Sequence, residues 1–300
     1  MKKANVSVSL EDRAGENGRV RSRKPKLGQN FLSDRTFAGR IVDALGDVSK
    51  EIVIEIGPGK GVLTDLLASR SDHLIAVELD RVLAAQLRMK YSRLPNVEVI
   101  EGDILKIDLT TVVARRPGPL STMAPVNHNP AQLVGNIPYY ITSDILLHLF
   151  AFHRFLHTAV IMVQREVADR ITAKPGTSEY GLLSATCQLY AKVQKLFDVP
   201  PGAFTPPPKV HSAVLRLTMA PQFQALQVPE QEFLDHLKLS FGQKRKTLLN
   251  NLKGRYADRT VRSAMSAAGV RPDARAEALT LPKAAQVFRN LAQSTPVPAP

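Results

Sequence analysis

Between residues 51 and 163 the chain repeats one arrangement, a short apolar run followed by a stretch with helical spacing. Residues 51–56 (EIVIEI), 73–79, 97–101, 132–134 and 159–163 read as strands. Residues 81–89 and 144–150 read as helices between them. Strands alternating with helices imply crossover connections, and so an α/β fold around a mainly parallel sheet. A further helix starts before Phe37, where Phe37, Ile41 and Leu45 recur at helical spacing behind two capping candidates, Ser33 and Asp34. Residues 210–217 alternate apolar and polar side chains and read as the last strand.

The segments around this pattern differ in character. Residues 1–24 are polar with basic residues gathering at Arg19, Arg21, Arg23 and Lys24, a disordered basic arm. Residues 115–131 carry four prolines and no periodicity, which predicts a mobile loop. Residues 174–179 (KPGTSE) predict another loop, and the proline-rich run 200–208 predicts no regular structure. Near Ala220 the pattern becomes helical throughout. The expected domains are therefore 25–219 and a helical 220–292, with a disordered tail at 293–300.

Lys and Arg total 40 against 27 Asp and Glu, a net charge of +13 that favours a polyanionic partner. From Lys238 to Arg262 there are eight basic residues and one acid, with Lys244, Arg245 and Lys246 consecutive. That density suits a phosphate backbone. The N-terminus has no secretory pattern, and no run approaches the roughly 20 apolar residues of a membrane span. Cys187 is the single cysteine, so no internal disulfide forms, and a cytoplasmic location is expected. The seven histidines form no metal-binding pattern.

Four strand ends carry groups suited to a ligand. The first is followed by Gly57-Pro58-Gly59-Lys60-Gly61, a turn whose backbone can approach a ligand closely. Its spacing is GxGxG, neither the dinucleotide fingerprint nor a phosphate loop. Glu78, 21 residues after Gly57, ends the second strand and can accept from both ribose hydroxyls. Asp103 follows the third strand and can accept from an adenine amine. The fourth ends in Asn136-Ile137-Pro138-Tyr139-Tyr140. Methylating an aryl amine is difficult because its lone pair is delocalised. Two acceptors, the Asn136 amide oxygen and the carbonyl of Ile137 or Pro138, can draw the nitrogen toward tetrahedral geometry while Tyr139 stacks on the base. No strong base is needed, since the methylated nitrogen loses its proton readily. Phe204, stiffened by the prolines after it, can cover the base's other face.

In their order and spacing these segments resemble the KsgA/RsmA family of small-subunit ribosomal RNA adenine dimethyltransferases. They are QNFL from Gln29, EIGPGKG from Glu55, VELD from Val77, GD at Gly102, NIPYYIT from Asn136, FTPPPKVHSAV from Phe204 and FGQKRKTLLNNL from Phe241. The resemblance runs from about Pro25 to Leu291 and implies a Rossmann-like class I methyltransferase with a small C-terminal helical domain. It implies S-adenosylmethionine as cofactor, contacted by Asn30, Leu32, Gly57, Glu78, Asp103 and Asn136. It also implies catalysis by Asn136, Pro138, Tyr139 and Phe204. The implied substrate is two adjacent adenosines near the 3′ end of small-subunit rRNA, within the immature small subunit, each methylated twice on its 6-amino nitrogen. A monomer is expected. The loop 115–131 is longer than the family leads one to expect. The alternatives are a large-subunit rRNA adenine methyltransferase of the macrolide-resistance type and a non-catalytic ribosome-assembly factor of the same fold. An NAD oxidoreductase fails on the glycine spacing.

Overall fold

The computed structural model describes residues 30–113 and 131–293. The arm expected over 1–24, nearly all of the tail expected over 293–300 and the loop 115–131 up to residue 130 lie outside them. The first half contains β1 (Phe31–Leu32), α1 (Arg35–Asp43), β2 (Ile52–Ile56), α2 (Val62–Leu67), β3 (His73–Glu78), α3 (Arg81–Tyr91), β4 (Val97–Glu101) and α4 (Leu109–Val113). The second contains β5 (Ala131–Asn136), α5 (Thr142–Ala151), β6 (Leu156–Gln164), α6 (Arg165–Thr172), α7 (Leu182–Tyr190), β7 (Ala191–Val199), β8 (Phe204–Thr205) and β9 (Ser212–Met219).

Seven strands form one sheet in the order β4-β3-β2-β5-β6-β9-β7. β2 to β6 run parallel, and β9 lies antiparallel between β6 and β7. Helices cover both faces, which explains why β2 and β3 are buried at every residue and are mostly apolar rather than alternating. The α/β architecture expected from the sequence is the one observed. Carboxylates set the helix starts beside the sheet's ligand edge. Asp34 caps α1 by accepting from the Thr36 and Phe37 N–H groups, and Asp80 caps α3 by accepting from Val82 and Leu83.

The structure departs from expectation in four places. β7 and the helices α6 and α7 have no counterpart in the sequence pattern. β5 and β6 extend beyond 132–134 and 159–163. The last strand begins at Ser212 rather than residue 210. The run 200–208 is not irregular throughout: Pro201–Ala203 forms a 3-10 turn, and Phe204–Thr205 pairs antiparallel with β1. Proline removes a donor only at its own position, so the two non-proline residues there keep the N–H groups a ladder needs.

The remaining helices are α8 (Phe223–Leu226), α9 (Glu230–Ser240), α10 (Leu248–Leu252), α11 (Asp258–Ala267) and α12 (Leu281–Ala292). Phe233 and Phe288, from α9 and α12, join the apolar cluster on one face of the sheet. Leu248, Leu252, Val261, Met265 and Leu291 form a separate cluster among the helices. The helical segment therefore has apolar contacts of its own as well as a seam against the sheet.

Candidate active site

From β2 the chain runs outward to β3 and β4, then returns to β5 on the other side of β2. Such a reversal opens a crevice at the carboxyl ends of the two strands. A cleft lies there, lined by Asn30, Phe31, Gly57, Gly59, Glu78, Asp103 and the turn from Asn136 to Tyr140. The crevice depends on close backbone approach. A Cβ on Gly135 would stand 2.9 Å from the Ile56 carbonyl oxygen and force β5 off β2 one residue below Asn136. Gly59 has φ +58°, and a Cβ there would lie 2.8 Å from the Phe31 ring.

Glu78 ties the site together. One carboxylate oxygen accepts from the Gly59 N–H and the other from the Asp80 N–H, each at 2.9 Å. Each oxygen keeps acceptor capacity for a ligand hydroxyl. Beneath the turn, Glu55 is 1% exposed and accepts from the Thr64 hydroxyl at 2.7 Å. Burial pushes its carboxyl up to about 8; the Thr64 bond opposes this and the Glu78 charge adds to it. Asp103 caps the short turn after β4 by accepting from the Leu105 N–H at 3.1 Å. Lys60 places its ammonium 5.2 Å from the centre of the Phe31 ring.

The turn after β5 carries the reactive geometry. The Asn136 amide nitrogen donates to the Asn30 carbonyl at 3.2 Å. A carbonyl only accepts, so this bond settles which end of the amide is nitrogen. Its oxygen has no hydrogen bond among the described residues. The Pro138 carbonyl accepts from the Ile141 N–H at 3.2 Å. The Ile137 carbonyl has no such partner among the described residues, and of the two candidate acceptors it is the one left free. Tyr139 is half-buried, and its hydroxyl pairs with the buried Ser212 hydroxyl at 2.6 Å, which fixes the ring. Burial raises the Tyr139 pKa above its ordinary value, opposed by the Ser212 bond. Tyr140 stands 68% exposed at the rim. The site thus sets two carboxylates at successive strand ends beside a glycine turn, and two free carbonyl-type oxygens beside a fixed aromatic ring.

Residues 20–293 match the family described as ribosomal RNA adenine dimethylase. The chain belongs to that family. A relative from Koribacter versatilis, named ribosomal RNA small subunit methyltransferase A, is 58% identical over 278 residues, 93% of this chain and 98% of the relative. One of the same name from Acidobacterium capsulatum is 49% identical, covering 89% of this chain and 91% of its own. Among solved structures, the 23S rRNA methyltransferase ErmE superposes with a TM-score of 0.61 at 30% identity, over 88% of this chain and all of its own. A dimethyladenosine transferase from Plasmodium falciparum superposes with a TM-score of 0.68 at 24% identity, over 88% of this chain and 98% of its own, a likeness of fold. The dimethylase chain has the class I methyltransferase architecture.

Of the residues singled out from sequence, the cleft gathers Asn30, Gly57, Glu78, Asp103, Asn136, Pro138 and Tyr139. Leu32 and Phe204 are not among its lining residues. They face each other in the β1–β8 ladder, 6% and 3% exposed, within the second apolar cluster. In this structure the Phe204 ring, expected to cover the base's second face, is buried in that ladder and does not line the cleft. Lys244, Arg245 and Lys246 are exposed and sit on the turn between α9 and α10. Lys244 donates to the Ser178 carbonyl at 3.2 Å, linking that turn to the loop 174–179. Sequence reasoning missed Phe31, Lys60, Thr64 and Ser212. Each lies inside or near a recognised motif, but its role follows from strand register, which the motif does not display.

Proposed function

We propose that this chain transfers methyl groups from S-adenosylmethionine to the 6-amino nitrogen of two adjacent adenosines in the 3′-terminal hairpin of small-subunit rRNA, giving dimethyladenosines. It does so as a cytoplasmic monomer acting on the immature small ribosomal subunit. The observation that carries this is the free Asn136 amide oxygen, held beside the Tyr139 ring in a cleft of the dimethylase family. The relatives in Koribacter versatilis and Acidobacterium capsulatum, named for the small subunit, favour that substrate over large-subunit rRNA.

The residues present fit the cofactor: buried Glu78 for ribose hydroxyls, Asp103 for an adenine amine, and Gly57 and Gly59, which line the cleft without side chains, for the amino-acid end. Bound there, S-adenosylmethionine supplies an electrophilic methyl on a sulfonium. The protein's part is to present the acceptor nitrogen. Tyr139 holds the extruded base by stacking, at an unstacking cost of a few kcal/mol. The Asn136 amide oxygen and the Ile137 carbonyl accept from the two amine hydrogens, so the nitrogen lone pair turns away from the ring. Pro138 stiffens the segment between these acceptors and Tyr139. Lys244, Arg245 and Lys246 hold phosphates away from the reaction centre.

Mapping methylated adenosines on ribosomal RNA from a strain lacking the gene tests the assignment. Two neighbouring dimethyladenosines should vanish from small-subunit rRNA and return on complementation. Loss from large-subunit rRNA instead would refute it.

A further inference from the structure

A second opening lies on the same sheet edge, beside the catalytic turn. It is a groove of about 520 Å³, within the size range of small-ligand sites, running between the start of α6 and the segment before β9. A strand pairing and a hydroxyl pair connect it to the base site. Gln164 pairs in register with Ser212, the residue whose hydroxyl holds Tyr139, and the Arg165 N–H donates to the His211 carbonyl at 3.0 Å. The groove begins at His211, one residue before the Ser212 whose hydroxyl holds Tyr139.

Its chemistry is mixed. Arg165 and Lys209 bring cations, His211 an imidazole, and Val210, 44% exposed, an apolar surface. Three carboxylates line it as well, but two are engaged. Asp169 pairs with Lys195 at 2.9 Å, and Glu179 accepts from the Ser178 hydroxyl at 2.6 Å. Glu166 is exposed and has no partner among the described residues. A pure phosphate track gains nothing from a free carboxylate, which repels the backbone. A nucleotide site gains from both signs, with cations for the phosphate and an acceptor for an exocyclic amine.

We propose that this groove receives the nucleotide next to the adenosine being methylated, with Glu166 accepting from its base amine and Arg165 and Lys209 holding its phosphate. The inference rests on the proposed function, because two adjacent adenosines require the enzyme to house one while it modifies the other. A base carrying a free 6-amino group meets an acceptor here.

The test measures methyl transfer by Glu166→Ala and Glu166→Gln on two RNAs, one with both adenosines and one with an abasic nucleotide in place of the neighbour. Glu166→Ala should lower kcat/KM about tenfold on the first RNA and leave the second at the wild-type value. Glu166→Gln, which keeps an acceptor oxygen, should restore part of the loss. Arg165→Ala and Lys209→Ala, from two different elements, should weaken both RNAs because the phosphate is present in each. The inference is overturned if Glu166→Ala affects both RNAs equally, or if it binds RNA more tightly, as relief of repulsion on a plain backbone track requires. If the wild-type protein transfers methyl to neither RNA, the proposed function itself fails, a result distinct from a wild-type rate in Glu166→Ala.

Discussion

At the scale of single residues, hydrogen bonds already made decide what is left for a substrate. The Asn136 nitrogen is committed to the Asn30 carbonyl, so its oxygen is the end available to an amine. The Tyr139 hydroxyl is committed to Ser212, so the ring serves as a surface rather than an acid. Tyr139→Phe should therefore lose about 1 kcal/mol of stability from the orphaned Ser212 hydroxyl and less than about tenfold in kcat/KM. Tyr139→Ala, which removes the stacking surface, should lose roughly 10- to 100-fold in the same assay. Glu55 gives a pH signature. Its carboxyl is raised from 4.5 to about 8 in the fold, so the folded protein keeps a proton that the unfolded chain has released. Its stabilising contribution is complete below about pH 4.5, declines as pH rises and is gone above about 8. The unfolding free energy from urea titrations across that window should fall by an amount on the order of a few kcal/mol in wild type and less in Glu55→Gln.

Among elements, the two-residue ribbon of β1 and β8 links the segment that ends in the cleft at Phe31 to the proline-rich segment. Phe204 sits in that ribbon as a core residue. Phe204→Ala should accordingly cost about 3–5 kcal/mol in chemical denaturation, whereas Phe204→Leu should keep most of the stability. A stability loss near zero for Phe204→Ala would place the ring outside the core. The parallel strands were legible because covered strands read as plain apolar runs. β7 was not: AKVQKLFDV alternates weakly on a sheet edge with polar side chains outward. β8 was hidden because its two residues sit among prolines, and only the partner strand makes them a ladder. Within the site, the acidic and amide residues at strand ends could be read directly, since each follows an apolar run by a fixed step. The pairings of Ser212 with Tyr139 and of Thr64 with Glu55 could not, because they join residues 73 and nine positions apart.

For the whole molecule, charge and cleft have separate tasks. The turn bearing Lys244, Arg245 and Lys246 is exposed, while Lys253 and Arg262 on the neighbouring helices are engaged by Asp258. Arg245→Ala with Lys246→Ala should weaken RNA binding at all sequences and reduce its salt slope by about 1 for each phosphate no longer neutralised. An unchanged slope would remove this turn from the RNA footprint. The cleft should act independently of it. The measurement that tests this division is tritiated-methyl transfer from S-adenosylmethionine to small ribosomal subunits lacking the modification, run for wild type and Asn136→Ala with RNA affinity measured alongside. The account predicts transfer by the wild-type protein, a loss of about 10²-fold or more in Asn136→Ala, and unchanged RNA affinity. Transfer by Asn136→Ala at the wild-type rate would contradict it.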